Sequence, residues 1–159
     1  MKIDLDKKRL LVCDTDQIIN TSYDLLAYWG GYTEDKERHS IPRIVEDNVD
    51  ELKNEYLHFL YHLGHKLHKD KSLIEHLAIR ENFSLWWMSL LVEKSQWKSP
   101  HLYSVFRVLA LYRLVNETKV NEIKLYGLEK VVVEAIQLFC ERSDIKITVL
   151  KAEKTFKES

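Results

Sequence analysis

Apolar positions along this chain follow two spacings, and each predicts a different element. Arg9 to Cys13 (RLLVC) is a short unbroken apolar run that stops at Asp14-Thr15-Asp16, the pattern of a buried strand running into a polar loop. From Asp47 to Leu67 the residues Val49, Leu52, Tyr56, Phe59, Leu63 and Leu67 recur every three or four positions, which places them within one face of a helix. Between the two, Trp29-Gly30-Gly31-Tyr32 reads as a turn, followed by a charged segment up to Pro42. A second helical zone is expected from Ser84, whose hydroxyl suits an N-cap, with a break around Ser95 to Lys98. Ser99 and Pro100 then have the character of an N-cap and a first helical residue. Leu102 to Val115 is apolar on nearly all sides, as a mostly buried helix is.

The last third carries the clearest architecture. Glu122 to Tyr126 (EIKLY) reads as a strand, Gly127 as a turn, Glu129 to Arg142 as an amphipathic helix and Ile145 to Leu150 (IKITVL) as a second strand. Strand, helix and strand within roughly 30 residues have the dimensions of a βαβ unit with a right-handed crossover. The run at Arg9 to Cys13 is equally apolar and is expected to lie parallel beside these two strands. A doubly wound sheet ordinarily has more than three strands, so either further strands go unread in this pattern or the chain is the opening part of something larger, and the second reading is favoured. We expect one α/β domain over residues 1–150, with a helical insertion at about 47–118, and a polar tail or linker over 151–159.

Composition narrows the partners. With 159 residues, 45% hydrophobic and 31% charged, the chain is of a size for one domain with its own core. A formal charge of -1 provides no electrostatic reason to bind nucleic acid or an acidic membrane. Cys13 and Cys140 are far apart in apolar runs, which fits buried thiols in a reducing compartment rather than a disulfide. There is no CxxC pair, no apolar signal core in MKIDLDKKRLL and no run of transmembrane length, so a cytoplasmic protein is expected. Neither GxGxxG nor a P-loop is present, and Gly127 stands alone after its strand.

Three features invite chemistry. Asp14 and Asp16 follow the first strand, where open parallel sheets place ligands, and two carboxylates there suit a divalent cation or acid–base work. The same Asp-x-Asp opens the haloacid-dehalogenase phosphatases, but Ile18 occupies the position of their threonine and no later acidic pair follows. Carboxylates ordering a loop are the simpler explanation. His58, His62 and His65 share a helix face, yet that face lies away from the apolar stripe, and HEXXH is absent, so no metal site is expected. The third feature, FSLWWMSLLVEKSQWKSP from Phe83 to Pro100, holds three of the four tryptophans. Indoles beside Glu93, Lys94, Ser95 and Lys98 suit a sugar, whose ring has apolar C–H faces and a polar rim, and they suit a protein interface equally well.

Several phrases together resemble the N-terminal region of the bacterial surface carbohydrate (O-antigen or lipopolysaccharide) biosynthesis proteins. They are LLVCDTDQ with YWGGY at Tyr28 to Tyr32, IVEDNVDELKNEYLHFLYHLG at Ile44 to Gly64, and the stretch from Leu73 to Val115 with SLWWMSLLVEKS at its centre. The resemblance covers most of residues 9–118. It implies a helix-rich Rossmann-like domain with a small parallel sheet of three or more strands, similar to the N-terminal half of a GT-B glycosyltransferase. That half faces the acceptor, while a nucleotide-sugar donor binds a C-terminal domain or partner chain, so no cofactor is expected in this chain and the isolated chain is expected to be inactive. Under this reading Asp14, Asp16 and then Glu93 are the candidate catalytic bases. Trp86, Trp87 and Trp97 are candidates to stack on a saccharide acceptor, Lys94 and Lys98 to hold a phosphate, and Ser95 to lie at the rim. The protein would work on the cytoplasmic side, peripheral at the inner membrane through its partners, and a homo-oligomer is compatible with it. The alternative of another class is a non-catalytic interaction domain whose Trp-rich segment packs on a partner.

Overall fold

The computed structural model describes residues 8–14, 21–35, 37–89, 92 and 101–150. The chain divides into two compact units, residues 1–47 with 107–159, and residues 48–106.

The first unit is built on a five-stranded sheet, parallel throughout. Strands β1 (Arg9–Cys13), β2 (Leu25–Tyr28), β3 (Arg38–Ser40), β8 (Glu122–Tyr126) and β9 (Lys146–Leu150) lie in the order β3-β2-β1-β8-β9. This is a Rossmann-like α/β arrangement. The expected parallel neighbours β1, β8 and β9 are adjacent, with Leu10 opposite Ile123 and Ile123 opposite Ile147. The central strand β1 is buried almost throughout because both its faces are covered, which is why it reads as continuous apolar sequence.

One sheet face is made of Leu10, Val12, Ala27, Ile123 and Leu125, all without solvent exposure. Leu11, Cys13, Leu26 and Tyr28 form a buried cluster on the other face, edged by Tyr126 and Leu150. Helix α5 (Lys130–Arg142, numbering helices in chain order) buries Val132, Ile136 and Cys140 at four-residue steps and packs on β9. Both cysteines are buried and neither is joined in a disulfide. Burial pushes the Cys140 thiol up to about 11, so it behaves as an apolar filler and not a nucleophile.

Five strands fall within the expected three or more; the two that escaped the sequence reading are β2 and β3. β2 has only four residues, and β3 (Arg-His-Ser) is a three-residue edge strand with no apolar signature. Pairing to neighbours makes them strands. Leu26 aligns with Arg38, and the Arg38 guanidinium donates to the Tyr28 hydroxyl at 2.8 Å.

At the start of the sheet Arg9 donates to Asp24 through its backbone N at 2.8 Å and through its guanidinium at 3.0 and 3.1 Å. The Arg9 side-chain and backbone hydrogen bonds lower the Asp24 carboxyl from 3.8 to about 2. A depressed carboxylate stabilises the fold above its unfolded pKa, and that contribution disappears as pH falls through the folded value. Asp24→Asn is therefore expected to lower the melting temperature at pH 7, with the difference from wild type shrinking between about pH 4 and pH 2. Melting curves at pH 7, 4 and 2 check this, and the pair is exposed enough that the effect is modest.

The second unit opens with α2 (Val49–His65), preceded in the first unit by α1 (Ile41–Asp47). Two antiparallel ribbons follow, β4 (Leu67–His68) with β5 (Lys71–Ser72) and β6 (Ala78–Arg80) with β7 (Phe83–Ser84), separated by the short helix α3 (Leu73–His76). Ser72 and Glu75 form a reciprocal capping box on α3, and the backbone and hydroxyl donors of Ser72 lower the Glu75 carboxyl. The buried stripe of α2 is Leu52, Tyr56, Leu60 and Gly64, which keeps Leu52 and Tyr56 of the expected stripe; of its other positions Val49, Phe59 and Leu67 are exposed and Leu63 only half-buried. Helix α4 (Leu102–Thr118) begins in this unit, where Phe106 meets the Tyr56 ring at 5.6 Å. Among the described residues no helix is long and apolar enough to cross a membrane.

Candidate functional site

In the first unit the candidate site is the carboxyl end of β1. β1 has β2 on one side and β8 on the other, so the chain leaves neighbouring strand ends in opposite directions there, the position at which parallel sheets open a crevice. Asp14 stands at that point, exposed, with its backbone N donating to the Tyr126 carbonyl at 3.3 Å. Trp29 N donates to the Cys13 carbonyl at 2.8 Å, which brings the end of β2 alongside. Two glycines shape this end of the sheet, and Gly30 makes room for the carboxylate. A methyl on Gly30 would come within 2.8 Å of Asp14 Oδ1, and Gly127, at φ +73°, turns the chain away just after β8. The Arg107 guanidinium lies 5.9 Å from the Trp29 ring centre, a cation at the same strand end.

In the second unit the candidate site is the tryptophan pair. The expected α-helix from Ser84 is instead a single 3-10 turn, Leu85–Met88. Ser84 does cap it: its hydroxyl accepts from Trp86 N at 3.2 Å and donates to the Ile74 carbonyl at 2.6 Å. The turn closes when Ser89 N donates to the Trp86 carbonyl at 3.0 Å. Consecutive residues of such a turn point about 120° apart. Trp86 accordingly enters the core at 4% exposure while Trp87 remains 56% exposed. An apolar, partly open groove of about 170 Å³ lies at the pair, walled by Leu57, Leu60, Tyr61, His65, Trp86 and Trp87.

Gly64 admits the buried indole. A methyl there would meet Trp86 Nε1 and Cε2 at 3.0 Å and Ile74 Cδ1 at 3.2 Å. Alanine adds about 1 kcal/mol of helix propensity, whereas overpacking a core costs about 1–3 kcal/mol. Gly64→Ala is expected to destabilise the native background by roughly 1 kcal/mol yet to stabilise a Trp86→Leu background, a double-mutant coupling of at least about 1 kcal/mol. Urea unfolding of the four proteins measures it, and simple additivity would show that the indole yields freely.

Of the sequence candidates, Asp14 falls in the first unit and Trp86 and Trp87 in the second. Asp16, Glu93, Lys94, Ser95, Trp97 and Lys98 lie outside the described residues, as do Ser99 and Pro100. His58, His62 and His65 are all exposed, the first two with ring centres 6.5 Å apart. Among the described residues no three histidine, cysteine or acidic side chains converge as metal ligands. Sequence reasoning missed Gly30, Gly64, Tyr61 and the placement of His65 in the groove. The one available signal was Gly64, which falls four residues after Leu60 on the buried side of α2. No protein-family model, curated protein or solved structure matches the chain.

Proposed function

We propose that this chain is the acceptor-side, N-terminal domain of a glycosyltransferase-like protein that builds bacterial surface polysaccharide. The observation that carries the reading is Asp14, a carboxylate at the switch point of a Rossmann-like parallel sheet, given space by Gly30. An inverting sugar transfer needs a base for the acceptor hydroxyl proton, and an exposed carboxylate at a strand end has that chemistry. The donor, a nucleotide sugar, would be held by a C-terminal domain or partner chain; Asp14 would take the proton as the acceptor oxygen attacks the anomeric carbon, the bond from that carbon to the nucleotide phosphate breaking and the nucleotide leaving on the donor side. Within the second unit, the groove at Trp86 and Trp87 has the indole face and polar neighbours that suit a saccharide residue. The resemblance of residues 9–118 to surface carbohydrate biosynthesis proteins supports the same reading, under which the protein would work on the cytoplasmic side of the inner membrane.

A non-catalytic interaction domain is the second reading. It is favoured by Leu85, Trp87 and Met88, which expose three large apolar side chains from one turn. Titration of the chain with oligosaccharide fragments of bacterial surface polysaccharides, followed by tryptophan fluorescence, separates the two. A saturable quench is expected. No response to any fragment, by fluorescence or by amide chemical shifts, would overturn the acceptor-domain reading in favour of the interaction domain.

A further inference from the structure

We infer that His65 is the hydrogen-bond acceptor that orients a neutral sugar ring in the Trp86–Trp87 groove. This rests on the acceptor-domain reading and names the substrate class of its groove. His65 closes α2, and its ring stacks on that of Tyr61, one helical turn back, at 4.2 Å between centres and 30° between planes. Its Nδ1 lies 2.8 Å from the Tyr61 carbonyl. A carbonyl oxygen only accepts, so Nδ1 carries the hydrogen. In the neutral ring the remaining nitrogen, Nε2, is then a lone-pair acceptor, and the stack on Tyr61 holds its direction.

His65, Tyr61 and Trp87 line the same groove, whose other walls include Leu57, Leu60 and Trp86. A ligand for this surface needs an apolar face for the indole and an O–H or N–H to give to Nε2. A fatty acyl chain would satisfy the walls but bring no donor, and against the neutral ring a carboxylate or phosphate would bring lone pairs and no hydrogen for Nε2. A pyranose ring has both parts, its axial C–H groups for Trp87 and its hydroxyls for His65. The ligand class is therefore a neutral hexose or N-acetylhexosamine residue of the acceptor, not an acidic sugar and not the nucleotide.

The test is a fluorescence titration of the whole chain with methyl glycosides of neutral hexoses, N-acetylhexosamines and a hexuronic acid. Wild type, His65→Phe and His65→Gln are compared. Phenylalanine keeps the stack on Tyr61 and removes the acceptor, whereas glutamine restores an acceptor oxygen. The expected result is a quench by the neutral sugars, weaker binding of the uronate, a dissociation constant raised about tenfold in His65→Phe and largely recovered in His65→Gln, with melting temperatures unchanged. Equal affinity of wild type and His65→Phe for a neutral sugar would overturn the role of His65 and leave the acceptor-domain reading standing. Tighter binding of the uronate than of any neutral sugar would overturn the ligand class in the same way. Absence of any quench in wild type would overturn both.

Discussion

Trp86→Ala is expected to cost about 3–5 kcal/mol of stability, while Trp87→Ala stays within about 0.5 kcal/mol of wild type. The two residues are chemically identical neighbours, so the contrast comes entirely from their surroundings. Trp86 is buried against Gly64 and Ile74, and its removal leaves a cavity that neither a helix backbone nor a capped turn can collapse to fill. Trp87 has more than half of its surface in water already. In ligand binding the order reverses, because Trp87→Ala is expected to abolish the saccharide quench. Urea unfolding followed by circular dichroism measures the stabilities without relying on the indoles being removed. Equal destabilisation by both substitutions, with no effect on ligand response, would mean that the whole stretch is core and would strengthen the interaction-domain reading.

Asp14→Asn is expected to lower sugar transfer by about 10²–10⁴-fold when the chain is assayed together with its donor-binding domain or partner. Asparagine keeps the shape of the side chain and cannot take a proton, so acceptor affinity and melting temperature should change little. Gly30→Ala is expected to act in the same direction by a different route. Its methyl would occupy space 2.8 Å from Asp14 Oδ1 and push the carboxylate aside, a movement the flexible side chain makes with little loss of stability. Transfer rates of single-turnover reactions at saturating acceptor check both variants. Activity of Asp14→Asn within threefold of wild type would remove Asp14 from the chemistry and with it the observation on which the proposed function stands.

How legible these features were depended on the range of the interactions behind them. β1, β8, α5 and β9 were readable because burial on one or both faces writes itself into a window of five to fifteen residues. β2 and β3 were not, since strands of four and three residues carry too few positions for a period to emerge. α2 was readable as a helix but its buried side was misassigned by one residue. Phe59 looks like core beside Leu60, yet the wall that α2 meets is the Trp86 indole at Gly64, and this selects the Leu52, Tyr56, Leu60, Gly64 line.

The candidate site divides in the same way. The sequence by itself determined that a carboxylate ends the first strand and that the last third is a parallel βαβ unit. Both are consequences of backbone geometry acting over a few residues. Only the tertiary structure decided that β2 lies on the flank of β1 away from β8, which makes the end of β1 a switch point with Asp14 at it. It also decided which indole is buried, through the single position on α2 that has no side chain to oppose it, and it brought His65 into the wall of the groove. These outcomes hang on pairings between residues tens of positions apart, where the shape of a remote surface selects among local conformations of nearly equal energy.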